Sequence, residues 1–151
     1  MDHLKAHLAD NAVILGIGNT LSSDDGVGSL LTSRIKGKVP AIVYDSGSSP
    51  ENYLGKIIKA KPKNIVIIDA MDFGAKPGEF CVLEGDQIKT VNLFSTHNAS
   101  LSLAINYLKS NLEVDILVLG IQPKSTAFGD TLSPEIVTTL TMLEKWFCEQ
   151  G

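Results

Sequence analysis

The chain has 151 residues, with 17 acidic and 13 basic side chains, a formal net charge of −4, 44% apolar residues, 13 glycines and 6 prolines. These figures describe a single globular domain over 1–151, large enough to bury a core, and exclude a disordered, collagen-like or disulfide-scaffold chain. Acidity and a lone arginine, Arg34, also exclude the concentrated basic surface that nucleic acid or an anionic membrane demands.

In chain order, MDHLKAHLAD at 1–10 has no apolar stretch of signal-peptide type. No run approaches the roughly 18 apolar residues of a membrane span, so a cytoplasmic protein without membrane insertion is expected. His3 and His7, four apart, read as part of a solvated N-terminal turn, with nothing nearby in sequence to complete a metal site. NAVILGIG at 11–18 is a short apolar run closed by glycines, the pattern of a buried strand. Val27, Leu30, Leu31 and Ile35 keep helical spacing from Gly26 onward. AIVYD at 41–45 is a second strand, and Ser49-Pro50-Glu51 opens a helix with a capping serine and proline at its first position. Tyr53, Leu54, Ile57 and Ile58 form the apolar stripe of that helix.

NIVIID at 64–69 is apolar on both faces, as a central parallel strand requires. GEFCVLE at 78–84 is a fourth strand, Leu101, Ala104, Ile105 and Leu108 mark a helix over 100–109, and DILVLGI at 115–121 is a fifth strand. Ser133-Pro134-Glu135 repeats the capping pattern and opens a last helix to about Cys148. Cys81 and Cys148 form no CxxC pair and read as isolated thiols of a cytosolic protein. Alternating strands and helices predict a three-layer α/β/α sandwich around a five-stranded, mainly parallel twisted sheet. Sites in such folds form at the carboxyl ends of strands, where strand order reverses.

The predicted strand ends are rich in polar residues. Asn19, Asp24 and Asp25 follow the first, Asp45 closes the second, Asp69 and Asp72 follow the third, Thr96 and His97 come after the fourth and its loop, and Gln122 follows the fifth. Singly, each is explained as a cap or turn residue. If the first strand lies between the second and third, Asp25 and Asp69 are brought toward each other. Two carboxylates and an imidazole suit a borderline divalent metal such as zinc or nickel, with positions left open for water or substrate. Asp24, Asp25, Asp45, Asp69 and Asp72 together suggest one concentrated cation-binding mouth.

GIGNTL at 16–21 begins like a dinucleotide fingerprint, but Leu21 stands where the third glycine would allow close helix–strand packing. Two carboxylates ahead of the helix would also repel a pyrophosphate. Neither a GxxxxGK[ST] loop nor a GxSxG elbow is present, and Cys81, within a strand, is poorly placed to be a reactive thiolate.

The segment ILGIGNTLSSDDGVGSLL resembles the N-terminal signature of the hydrogenase maturation endopeptidases. The likeness continues through YDSGSSPEN at 44–52, IVIIDAMDFGAKPGE at 65–79, STHNASL at 95–101 and LGIQP at 119–123. It is nearest to the branch serving formate-hydrogenlyase-type (hydrogenase 3) enzymes, and residues 1–10 extend beyond it. The resemblance implies an endopeptidase that removes a C-terminal extension from the nickel-loaded large-subunit precursor of a nickel-iron hydrogenase. It implies Asp25, Asp69 and His97 as the metal-binding and catalytic set. They would recognise nickel carried by the substrate, or hold zinc or another divalent metal at the same site.

Asn19, Asp24, Asp45, Asp72, Thr96 and Gln122 are then candidates for supporting those ligands or touching substrate. Asp24 is read as capping the following helix, and Asp72 or Asp24 as a possible general base. Many relatives carry a glycine just before the acid pair, where this chain has Ser22-Ser23. A monomer is expected. A non-cleaving docking module on the same precursor and a flavodoxin-like nucleotide-binding domain are the alternatives.

Overall fold

The computed structural model describes residues 1–8, 11–89 and 98–150, without the side chains of 89 and 98–100. Among them, β1 (Ala12–Gly16), β2 (Ile42–Asp45), β3 (Asn64–Ala70), β4 (Phe80–Glu84) and β5 (Asp115–Ile121) form one sheet in the order β2-β1-β3-β5-β4. The first three and β5 are parallel, and β4 pairs antiparallel with β5 at an edge. The predicted α/β/α sandwich is therefore present, with β1 between β2 and β3.

The strands are continuous apolar runs because both faces are covered. One face presents Ile14, Val66, Ile68, Leu117 and Leu119 to α1 (Asp2–Ala6), α2 (Val27–Ile35) and α5 (Pro134–Glu149). The other presents Val13, Leu15, Ile65, Ile67, Ile116 and Val118 to α3 (Leu54–Ala60) and α4 (Asn98–Asn111). Each such side chain contributes about 1.5–3 kcal/mol by burial. In α3 only Ile57 of the predicted stripe is fully buried, with Tyr53, Leu54 and Ile58 packed at the margin.

Three readings change. The N-terminal segment is a helix and not a solvated turn: Leu4 and Leu8 are buried in the core cluster to which α2 and α5 also contribute. His3 and His7 stay on its outer side, edge to face at 4.9 Å between ring centroids. They line a polar pocket with Glu84, Asp86, Lys109 and Asp115, at the amino end of β5. Secondly, Ser49 and Ser133 occupy cap positions but make no side-chain cap bond. Thirdly, because β4 is antiparallel, its carboxyl end points away from those of the other strands. Thr96 and His97, expected after β4 and its loop, lie outside the described residues; α4, whose range begins at Asn98, contacts the Pro50–Tyr53 turn that follows β2.

The connections leaving β1 and β3 diverge to opposite sides of the sheet, so the switch in strand order falls between these two strands. There the start of α2 lies backbone to backbone on the strand tips. A Cβ at Gly28 would stand 2.5 Å from the Ile68 carbonyl oxygen and closer still to that of Ile17. One at Gly18 would stand 2.5 Å from the Asp25 carbonyl oxygen. Gly28→Ala is expected to lower the unfolding free energy in urea by about 3 kcal/mol. Gly55→Ala, in α3 where a Cβ meets nothing within 4 Å, is expected to raise it by about 0.5–1 kcal/mol.

Candidate functional site

Asp25 sits in a 3-10 turn, Ser23–Gly26, that leads into α2. It is 4% exposed, and its Oδ2 accepts the Asn19 amide at 3.2 Å. Asp69 is the penultimate residue of β3 and is fully buried. The turn packs against β3, and the Ile17 amide donates to the Ile68 carbonyl at 2.9 Å. Both acids therefore lie at adjoining strand tips on either side of the switch point. Their carboxylate oxygens are donors that zinc and other borderline divalent ions accept. The expected third donor, His97, and its neighbour Thr96 lie outside the described residues. Among the described residues no group of three or more His, Cys, Asp or Glu could hold a metal ion.

Asp24 has a different task from the one expected. It does not cap α2. It is fully buried, and its Oδ2 accepts the amides of Lys124 and Ser125 at 2.9 and 3.0 Å and the Ser133 hydroxyl at 2.7 Å. Its Oδ1 accepts the Ser133 amide at 2.7 Å. Burial opposes the ionised form, but the donors from Ser133, Ser125 and Lys124 together hold the carboxyl below its ordinary value. A carboxylate so fully engaged is no general base. Ser133, expected to cap α5 with its hydroxyl, spends that hydroxyl on Asp24 instead. The loop between β5 and α5 is thereby fastened to the turn that carries Asp25.

Ser22-Ser23, read as a departure from the glycine that the resemblance implies, includes an unusual backbone position. Ser23 has a φ of +52°, in the left-handed region that glycine adopts most easily. Its conformation is held by an amide bond to the Gly129 carbonyl at 2.8 Å and a hydroxyl bond to the Ala127 carbonyl at 2.7 Å.

The remaining candidates organise loops. Asp45 accepts the Ser29 and Ser33 hydroxyls at 2.6 and 3.1 Å and the Gly47 amide at 3.1 Å, tying the end of β2 to α2. Gln122 is buried; its Oε1 accepts the Phe73 and Ala75 amides at 2.9 and 3.2 Å, and its Nε2 donates to Asp72 Oδ1 at 3.1 Å. Asp72 is exposed and also accepts the Gly74 amide at 3.1 Å. Asn19 accepts the Leu21 amide at 2.9 Å. Of the five acids expected in one mouth, Asp24 fastens the 124–133 loop, Asp45 ties β2 to α2, and Asp72 accepts from Gln122 and Gly74; Asp25 and Asp69 are the two buried at the switch point. The cysteines are free, and burial pushes the Cys81 thiol up against the smaller opposing effect of the Gly120 amide, as an inert strand thiol requires. The 124–133 loop went unread in the sequence, where only its lack of apolar periodicity showed.

Fold and strand-end chemistry define a doubly wound α/β protein with a buried acid pair, in place of a phosphate loop, at its switch point. The model of the HycI hydrogenase maturation protease family matches residues 26–150. Escherichia coli K12 hydrogenase 3 maturation protease is 34% identical over 140 residues, covering 89% of each chain. A putative hydrogenase maturation protease of Methanocaldococcus jannaschii is 32% identical over 126 residues, covering 77% of this chain and 74% of the relative. The crystal structure of the [NiFe] hydrogenase maturation protease HycI from Thermococcus kodakarensis KOD1 superposes with a TM-score of 0.86 at 33% identity, over 98% of this chain and 97% of that one. The chain belongs to the hydrogenase maturation protease family and is a peptidase. No helix among the described residues is long and apolar enough to cross a membrane.

Asp24→Ala would leave three amides and a hydroxyl without their acceptor, at about 1–3 kcal/mol for each donor left buried. Its unfolding midpoint in urea is expected to fall by an amount equivalent to about 3 kcal/mol or more.

Proposed function

We propose that this protein removes a C-terminal extension from the large-subunit precursor of a nickel-iron hydrogenase, after nickel has entered that precursor. The observation that supports this most is the pair of carboxylates buried at the switch point of a member of this peptidase family. In this reading Asp25, Asp69 and His97 bind the nickel that the substrate carries. That contact recognises a loaded precursor and fixes the scissile bond relative to the enzyme, converting metal occupancy into cleavage competence.

The same donors would hold zinc or another divalent ion, whose contribution would be to polarise the peptide carbonyl and lower the pKa of a bound water. Attack by water is favoured over an acyl-enzyme. Cys81 is held as a thiol in β4, and Cys148 lies near the end of α5, away from the strand tips. Hydrolysis joins the water oxygen to the carbonyl carbon, breaks the C–N bond and passes a proton to the leaving amine. The reading places a monomer in the cytoplasm, acting on a protein substrate. Peptidase membership favours it over a non-cleaving docking module and over nucleotide binding.

Asp25→Ala, Asp69→Ala and His97→Ala are each expected to abolish processing while preserving cooperative thermal unfolding. The check is intact-mass spectrometry of a nickel-loaded precursor after incubation. Wild-type cleavage by any one of them would remove that residue from the essential set.

A further inference from the structure

Two large apolar side chains stand in water on the two segments that meet just ahead of Asp25 in the chain. Phe128 is 90% exposed and Leu21 is 59% exposed. They flank a parallel bridge between Ser22 and Gly129, in which the Gly129 amide donates to the Leu21 carbonyl at 2.8 Å and the Ser23 amide to the Gly129 carbonyl at 2.8 Å. The Ser23 hydroxyl holds Ala127, and Asp24 holds Lys124, Ser125 and Ser133. Phe128 is therefore bracketed on both sides by bonds to residues 21–24, directly before Asp25. A single apolar side chain on a surface needs no explanation. Here two are displayed together by a loop whose ordering is already complete, so a partner that covers them has little loop entropy left to overcome.

We propose that Phe128 and Leu21 form an apolar docking surface at the rim of the acid site, covered by the folded polypeptide of the precursor next to the bond to be cut. This rests on the peptidase reading and adds to it the means by which a protein substrate is gripped. The occupant follows from continuity. Asp24 fastens the Phe128 loop, and the next residue, Asp25, belongs to the acid pair. A substrate of protein size seated against Asp25 extends over these two side chains, whereas a free metal ion would not reach them. Buried aromatic side chains of this kind carry most of the energy of protein interfaces.

The test is steady-state processing of intact nickel-loaded precursor by wild type, Phe128→Ala, Leu21→Ala and Phe128→Tyr, with thermal unfolding and light scattering on each. Phe128→Ala is expected to raise KM about 30-fold, the effect of losing one interface hot spot. Its kcat and thermal midpoint should match wild type, and Phe128→Tyr should restore KM. Unchanged kcat/KM in both alanine variants would overturn the docking surface while leaving the peptidase reading intact. So would a fall in kcat that tracks the thermal midpoint, which would mark a structural role. A wild-type dimer that Phe128→Ala dissociates without changing KM would make a second copy the occupant, against the proposal. Failure of wild type to cleave the precursor would overturn the peptidase reading, and this one with it.

Discussion

The whole site depends on how closely the start of α2 approaches the tips of β1 and β3. Gly28 lies against the Ile17 and Ile68 carbonyls, where no Cβ fits. Asp25 precedes it by three residues, and Asp69 follows Ile68. Contact of backbone with backbone, with no side chain between, thus fixes where both acids stand. The sheet supplies the rigid half of this contact. β1 and β3 are held in register with each other and with their outer neighbours, and their side chains are packed on both faces.

Two adjacent aspartates divide the work. Asp24 turns inward and collects donors from a loop about a hundred residues away in sequence. Asp25 accepts the Asn19 amide and has further partners of its own. The buried charge of Asp24 is tolerable because its oxygens are covered by hydrogen bonds. Its consequence reaches beyond stability: the loop it fastens carries Phe128, the most prominently displayed of the exposed apolar side chains described. One short turn thereby sets both the acid position and the neighbouring surface.

Much of this was legible in the sequence, for physical reasons. Short apolar runs closed by glycines and polar residues read as strands covered on both sides, and the helical spacing in 27–35 and 101–108 read as the helices that cover them. The expectation that Asp25 and Asp69 come toward each other is conditional on β1 lying between β2 and β3, and the sheet order meets that condition. What escaped was non-local or too brief for periodicity. The helix at Asp2–Ala6 buries only Leu4 within its span, too little for a pattern. Asp24 resembles a helix cap until its partners at 124, 125 and 133 are known. The glycine sought at Leu21 for close packing is in fact Gly28, since a 3-10 turn intervenes before α2. Ser23 in a left-handed conformation gives no local signal, because a serine there is disfavoured and is held by distant carbonyls.

The proposed site makes Asp25 and Asp69 joint ligands of one metal ion at the switch between β1 and β3. Anomalous diffraction at the nickel edge, from crystals of the protein grown with nickel, tests it most directly. The expected result is a peak bonded to carboxylate oxygens of both aspartates. A peak at His3 and His7 alone, or none within bonding distance of Asp25 and Asp69, would contradict it.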